Sequence, residues 1–133
     1  MDIIINEASG YSKGGTYFFN WESLNYPNSY PDDCICTLTT TMEMAGYAVF
    51  QIPAGDNIYD NTACLYDRLE FSGDIMDKTP VCNRFNTDYS NYMMKMFTAS
   101  VTGTINFITD STDGNVEKGF RMTITVSLDY AGR

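Results

Sequence analysis

The chain has 133 residues, a formal net charge of −9 from 17 acidic and 8 basic side chains, and no histidine. The absence of histidine excludes Ser-His-Asp and Cys-His catalysis and all histidine-ligated metal sites. The acidic excess argues against a nucleic-acid-binding or anionic-membrane surface, and it favours a cation or a basic partner. With 44% hydrophobic and 14% aromatic residues, we expect one folded domain.

No apolar run is long enough to insert into a membrane. The first ten residues lack the basic and apolar regions of a signal peptide. We therefore expect either a cytosolic protein or a domain excised from a longer precursor.

Apolar residues alternate with polar ones along much of the chain, which is typical of half-buried β-strands. In the last such segment, one face carries Met122, Ile124, Val126 and Leu128. Clusters of Gly, Pro, Asn and Asp separate the segments, as turns do. This arrangement predicts an all-β sandwich or barrel. The strand-like segments are 37–41, 47–52, 68–71, 104–108 and 121–128.

The segment 89–98 (YSNYMMKMFT) is ambiguous. Tyr92, Met94 and Met96 have the spacing of a strand that faces a core, whereas Met93 and Phe97 could form a helical i, i+4 pair. The sequence therefore allows either a strand or a short helix here. For the methionines we favour core filling over a functional cluster, because Met commonly fills irregular gaps in cores.

The four cysteines are Cys34, Cys36, Cys64 and Cys82. They permit two disulfides in three full pairings. The spacing of Cys34 and Cys36 is shorter than that of paired zinc ligands, and no second close pair exists. Disulfides are the better interpretation, and they indicate an oxidising compartment.

Six short segments follow one another in the order and spacing of a known module. They are 25–31 (NYPNSYP), Cys36, 64–71 (CLYDRLEF) with Ser72-Gly73, Cys82, 107–112 (FITDST), and Gly119-Phe120 with the final strand. Together they resemble the CUB domain family over about residues 8–128. The resemblance implies a single all-β domain over 1–133, folded as a jelly-roll-like β-sandwich of two antiparallel sheets. It also implies a secreted or cell-surface, non-catalytic recognition module.

The cysteines depart from the family pattern, because the usual first cysteine is missing and Cys34 is an additional one. The resemblance implies a Cys64–Cys82 disulfide. For Cys34 and Cys36 three alternatives stay open: an intrachain bridge, two thiols, or a bond to another chain. The intrachain bridge would be strained, because positions i and i+2 of a strand lie near the upper limit of Cα separation for a disulfide.

The resemblance also implies a calcium site built from acidic loops. Asp67 matches the family's Tyr-Asp ligand, Asp110 matches the aspartate of the FxSDxS segment, and Asp113 follows three residues later. The usual glutamate position falls on Tyr59, so the neighbouring Asp60 is taken as its replacement, with Asp56 as the other candidate. Such oxygens suit Ca²⁺, which takes six to eight oxygen ligands. The predicted metal ligands are therefore Asp60, Asp67, Asp110 and Asp113.

Three functions follow from these residues. The first is calcium-dependent binding of an exposed Lys or Arg of a protein partner through Tyr30, Asp67 and Asp110, in an arm of a multidomain protease or receptor. The second is glycan binding, as in spermadhesin members of the family, which would use exposed aromatic faces. The third is a carboxylate-pair glycosidase, which we reject because Glu70 should face solvent without a second carboxylate. The aromatic candidates for glycan binding are Tyr11, Tyr17, Trp21, Tyr59 and Tyr89.

Overall fold

The structure is a computed structural model that describes residues 1–31, 33–53, 56–58, 67–75, 80–84, 89–96, 100–110 and 119–129. A short 3₁₀ turn, Glu7–Ser9, lies between the first two strands. Across these ranges, no helix has the length and apolar character needed to cross a membrane. The strands are β1 (Asp2–Ile5), β2 (Thr16–Glu22), β3 (Ile35–Met42), β4 (Gly46–Pro53), β5 (Asn57–Ile58), β6 (Arg68–Gly73), β7 (Asn83–Arg84), β8 (Tyr89–Met96), β9 (Val101–Ile108) and β10 (Arg121–Leu128).

Two four-stranded sheets form the domain, in the orders β1-β3-β9-β6 and β2-β10-β4-β8. All neighbours within them are antiparallel except β1 and β3, which pair in parallel. The two-residue strands β5 and β7 pair separately. The predicted fold class is therefore confirmed as an all-β structure with two mostly antiparallel sheets.

The predicted alternation places one face of each long strand in the core. In β10, Met122, Ile124 and Val126 are fully buried and Leu128 is 5% exposed. In the other sheet, Ile105 and Phe107 of β9 are buried in the same alternating way. Because strand side chains alternate between faces, each inward row meets the other sheet and leaves the polar row outside.

The ambiguous segment 89–98 forms strand β8 over Tyr89–Met96, so the helical alternative is wrong. It pairs with β4 along its whole length. Met94 is fully buried, whereas Met93 is 41% exposed on the opposite face. Met94 and Ile75 pack over Gly103, where an added Cβ would collide with both. Core filling, as predicted, is the role of Met94.

Cys34 and Cys36 are half-buried thiols with no disulfide between them. The alternative of a bond to another chain stays a prediction. Two steps along an extended strand span about 6.6–6.8 Å, which is the upper limit of Cα separation for a disulfide. Cys82 is disulfide-bonded. Its predicted partner, Cys64, lies outside the described residues, so the pairing of Cys64 with Cys82 stays a prediction.

Candidate functional site

One end of the β1-β3-β9-β6 sheet brings distant segments together. In the strand register, Ile108 at the end of β9 lies between Arg68 at the start of β6 and Ile35 at the start of β3. Asp67 directly precedes β6, and Asp110 follows β9 by two residues. The antiparallel register therefore places these two aspartates at the same sheet end as the segment that precedes β3.

Asp67, beside the edge strand β6, is buried at this sheet end and is 2% exposed. Its Oδ2 accepts a hydrogen bond of 2.7 Å from the Tyr30 hydroxyl. Its Oδ1 accepts a hydrogen bond of 3.0 Å from the Asp110 backbone N–H. The structure thus brings together Tyr30, Asp67 and Asp110, which the sequence proposed as partner-binding residues. A buried carboxylate with donors on both oxygens is held in one orientation.

Thr109 holds the loop beside Asp67 in place, although the sequence did not single it out. Its N–H donates to the Cys34 carbonyl at 2.8 Å, and its hydroxyl donates to the Pro31 carbonyl at 2.9 Å. The same hydroxyl accepts from the Cys34 N–H at 2.8 Å. The next residue, Asp110, accepts from the Asp33 N–H at 2.9 Å through its carbonyl. Asp110 itself is half-buried.

A row of aromatic rings supports Tyr30 from the core. The centroid of the Tyr30 ring lies 4.9 Å from that of Phe107, which lies 5.0 Å from that of Phe120. Phe120 in turn lies 5.1 Å from Trp21. All three contacts have the edge-to-face geometry that aromatic pairs favour. Trp21, offered as a glycan-stacking residue, is 8% exposed and belongs to this row.

Asp56, the other candidate for the missing glutamate, has a structural role of its own. It is 1% exposed and accepts hydrogen bonds from the Tyr26 hydroxyl at 2.7 Å and from the Arg121 N–H at 2.8 Å. The Arg121 guanidinium lies 5.2 Å from the centre of the Tyr26 ring and pairs with Glu22. The carboxylate thus ties the segment that carries Tyr30 to the start of β10. In the sequence, Tyr26 stands out only as the tyrosine of the first Tyr-Pro pair in segment 25–31.

The remaining predicted ligands, Asp60 and Asp113, lie outside the described residues. Within the ranges that are described, no group of three or more acidic or cysteine side chains is placed to hold a metal ion. Of the four predicted ligands, the structure describes Asp67 and Asp110. These two are adjacent, because the Asp110 N–H donates to the Asp67 carboxylate.

We expect the hydrogen bond between Tyr26 and Asp56 to make stability decrease with pH in the alkaline range. Burial, the hydrogen bond to Asp56 and the negative charge of Asp56 raise the pKa of Tyr26 from 10.0 to about 12. Above pH 10 the unfolded chain loses this proton while the folded chain keeps it, so stability falls until the pH passes the folded pKa. Urea denaturation between about pH 9 and 11 measures the slope. Tyr26→Phe should flatten it, and an unchanged slope in this variant would contradict the assignment.

The structure also describes some of the residues considered for glycan binding and for a carboxylate-pair glycosidase. Tyr11 and Tyr17 pack edge to face at 4.8 Å, and the Tyr17 hydroxyl accepts from the Ser12 N–H. Tyr59 lies outside the described residues, and Tyr89 begins β8. Glu70 forms an ion pair of 2.7 Å with Arg68 and is 40% exposed, which agrees with the predicted solvent-facing position.

Comparison with solved structures places this sandwich among known modules. The chain aligns with the CUB1-EGF-CUB2 domain of human MASP-1/3 at a TM-score of 0.64 and 21% identity, covering 84% of this chain and 42% of that one. It aligns with the full extracellular region of zebrafish Gpr126/Adgrg6 at a TM-score of 0.64 and 18% identity, covering 96% and 15%. A Ca²⁺-bound MASP-1 CUB2 domain aligns at a TM-score of 0.56 and 22% identity, covering 80% and 90%.

At these identities the structural likeness establishes the fold, and the chain spans less than half of the first two structures. Among curated proteins, none matches the sequence significantly. The family model for the CUB domain matches residues 15–124, which is most of the chain and includes every described residue of the site. The chain belongs to the CUB domain family.

Proposed function

We propose that this domain is a calcium-dependent recognition module of a secreted or cell-surface protein, and that it binds a lysine or arginine side chain of a protein partner. CUB domains are typically extracellular, generally non-catalytic and often mediate protein–protein interactions. The proposal takes residues 1–133 as one such domain. It takes as the binding surface an acidic cup, defined as Tyr30, Asp67 and Asp110 with the predicted ligands Asp60 and Asp113.

One observation carries the proposal, namely the buried Asp67 carboxylate with the Tyr30 hydroxyl and the Asp110 N–H on its two oxygens. Each carboxylate oxygen has two lone pairs, so these hydrogen bonds are compatible with a role as a cation ligand. Oxygen donors with negative charge suit Ca²⁺. The Ca²⁺-bound CUB2 domain of MASP-1 supports the choice of ion.

The basic partner follows from charge and pre-organisation. The chain has a net charge of −9, which would accelerate encounter with a basic surface at low ionic strength. The hydrogen bonds around Asp67 hold its carboxylate against Tyr30 and the Asp110 backbone before binding, so this part of the cup would lose little entropy when a cation docks. A Lys or Arg side chain would then gain charge-assisted hydrogen bonds to the cup carboxylates.

Calcium titration by calorimetry tests the first part of the proposal. Extracellular modules bind Ca²⁺ with dissociation constants of about 10⁻⁴–10⁻³ M, and we expect the wild-type chain to fall in this range. Asp110→Asn should weaken binding by about tenfold or more, because it removes a carboxylate ligand while keeping the backbone N–H that Asp67 uses. The change should appear equally as a smaller rise in melting temperature with added Ca²⁺.

Asp74→Asn is the matched control, since it makes the same charge change just past the far end of β6. There Asp74 accepts a hydrogen bond from the Thr102 N–H at 3.0 Å, and an asparagine oxygen can replace it. This control should bind Ca²⁺ like the wild type. If the wild-type chain gives neither heat nor a shift in melting temperature, the calcium part of the proposal is wrong.

Binding of a lysine-rich peptide tests the second part. We expect NMR shifts of the Asp67 and Asp110 amides when the peptide is added in Ca²⁺, and none when a chelator is present. The same peptide with acetylated lysines keeps the length but loses the charges, so it should cause no shift. Equal shifts with both peptides would contradict recognition of a basic group.

A further inference from the structure

Cys34 and Cys36 lie on one face of the β1-β3-β9-β6 sheet, and Cys34 is hydrogen-bonded to Thr109, the residue before Asp110. The β3–β9 pairing continues one residue beyond Ile35, because the Thr109 N–H donates to the Cys34 carbonyl at 2.8 Å. Side chains alternate along extended chain, so the two cysteines share a face. Ile35 between them is 70% exposed on the other face. Cys36 packs against the core, and both thiols are half-buried.

The environment of the Cys36 thiol includes Cys34. Burial, and in second place the neighbouring Cys34, raises the pKa of the Cys36 thiol. Cys36 therefore has less thiolate at neutral pH than an ordinary cysteine, which slows its attack on a disulfide. Cys34 directly precedes β3, where a small reagent can approach its half-exposed side chain.

A bridge between these positions would be accessible but strained. The Cα separation along the strand is about 6.6–6.8 Å, at the limit that a disulfide tolerates. Strained or exposed disulfides have higher reduction potentials than structural ones, so they are the ones that open and close.

We propose that Cys34 and Cys36 form a reversible dithiol–disulfide site that exchanges with small-molecule or protein disulfides, such as glutathione disulfide. The Cys34 thiolate attacks one sulfur of glutathione disulfide, the S–S bond of that molecule breaks, and one glutathione leaves as a thiolate that takes up a proton. The Cys36 thiolate then attacks Sγ of Cys34 and releases the second glutathione. The cysteines lose two electrons and two protons, and glutathione disulfide gains them as two thiols.

Closure of this bridge would act on the cup through the backbone. Both the N–H and the carbonyl of Cys34 are hydrogen-bonded to Thr109, and the next residue, Asp110, donates its N–H to Asp67. Drawing Cys34 towards Cys36 should therefore shift the amide resonances of Thr109 and Asp110. This effect does not depend on calcium, so the redox site can be right even if the calcium proposal fails.

The test uses the folded chain in glutathione buffers, followed by acid quenching, alkylation and intact mass measurement. The ratio of bridged to reduced wild-type chain should follow the concentration of glutathione disulfide divided by the square of that of glutathione. Diluting the buffer tenfold at a constant ratio of the two forms should therefore raise it about tenfold. The bridged species should weigh less than the reduced chain by two hydrogen atoms and take up no alkylating group at Cys34 or Cys36.

Cys34→Ser and Cys36→Ser are the matched controls. Each retains one thiol of the pair, which can form only a mixed disulfide with glutathione. Its modified fraction should not change on the same dilution, because one glutathione is released for each one bound. If the wild-type chain also fails to respond to dilution, or if Cys82 exchanges instead, the proposal is overturned. The dilution series on the wild type decides this even if a serine variant does not fold.

Discussion

Asp67→Ala is expected to lower the free energy of unfolding by about 3–5 kcal/mol in calcium-free buffer. The substitution leaves the buried Tyr30 hydroxyl and the Asp110 N–H without the carboxylate that accepts from both. Hydrogen bonds to a charged group contribute about 1.5–3 kcal/mol each, and a buried donor left unsatisfied carries its own penalty. Urea denaturation with a chelator present measures the loss separately from any effect of bound ion.

A double-mutant cycle with Tyr30→Phe separates the tyrosine bond from the rest. Tyr30→Phe removes only the hydroxyl of a residue that is 3% exposed, and its ring contact with Phe107 remains possible. The coupling between the two substitutions should be about 1.5–3 kcal/mol, the value of a hydrogen bond to a charged group. Additive effects would show that the hydroxyl and the carboxylate do not interact in solution.

Phe107→Ala is expected to cost about 3–5 kcal/mol, as truncation of a buried aromatic side chain does. Phe107 is 1% exposed and lies between the rings of Tyr30 and Phe120. The substitution removes both edge-to-face contacts and leaves a cavity beneath the cup. Thermal or urea unfolding measures the loss, and the Tyr30 and Asp67 resonances should broaden or shift in the folded variant.

Phe18→Ala is the control for this truncation. Phe18 lies on β2 and is 69% exposed, so the same substitution should change stability by less than about 0.5 kcal/mol. Equal losses at the two positions would contradict the placement of Phe107 in the core between the sheets.

Five strands were predictable because one face of each is buried and the other is solvated. Residues 121–128 show this best, because a period of two in the sequence maps directly on the burial of β10. β1 was missed, although its Ile3 and Ile5 are buried in the same alternating way. The segment 89–98 was not predictable in this way, since its methionines fit both a strand and a helix. Pairing with β4 decided the matter, and such pairing joins residues that are distant in sequence.

The candidate site was predictable to the extent that motif spacing identifies residues. Asp67, Asp110 and Tyr30 were named from short segments, and the structure brings them together. The roles of Thr109 and Asp56 were not predictable. Their partners are backbone groups and a tyrosine from other strands and loops, so no local pattern in the sequence contains those contacts.

The sequence by itself determined the all-β class, the family resemblance and the acidic, histidine-free chemistry, because alternation, motif order and composition are local or additive properties. Only the tertiary structure decided that the Asp67 carboxylate is buried with a donor on each oxygen. The same holds for the Asp56 carboxylate, which accepts hydrogen bonds from Tyr26 and Arg121. The tertiary structure also placed Cys34 and Cys36 as half-buried thiols on one sheet face. The physical reason is that burial and hydrogen-bond partners depend on which strands lie side by side, and long-range pairing sets that arrangement.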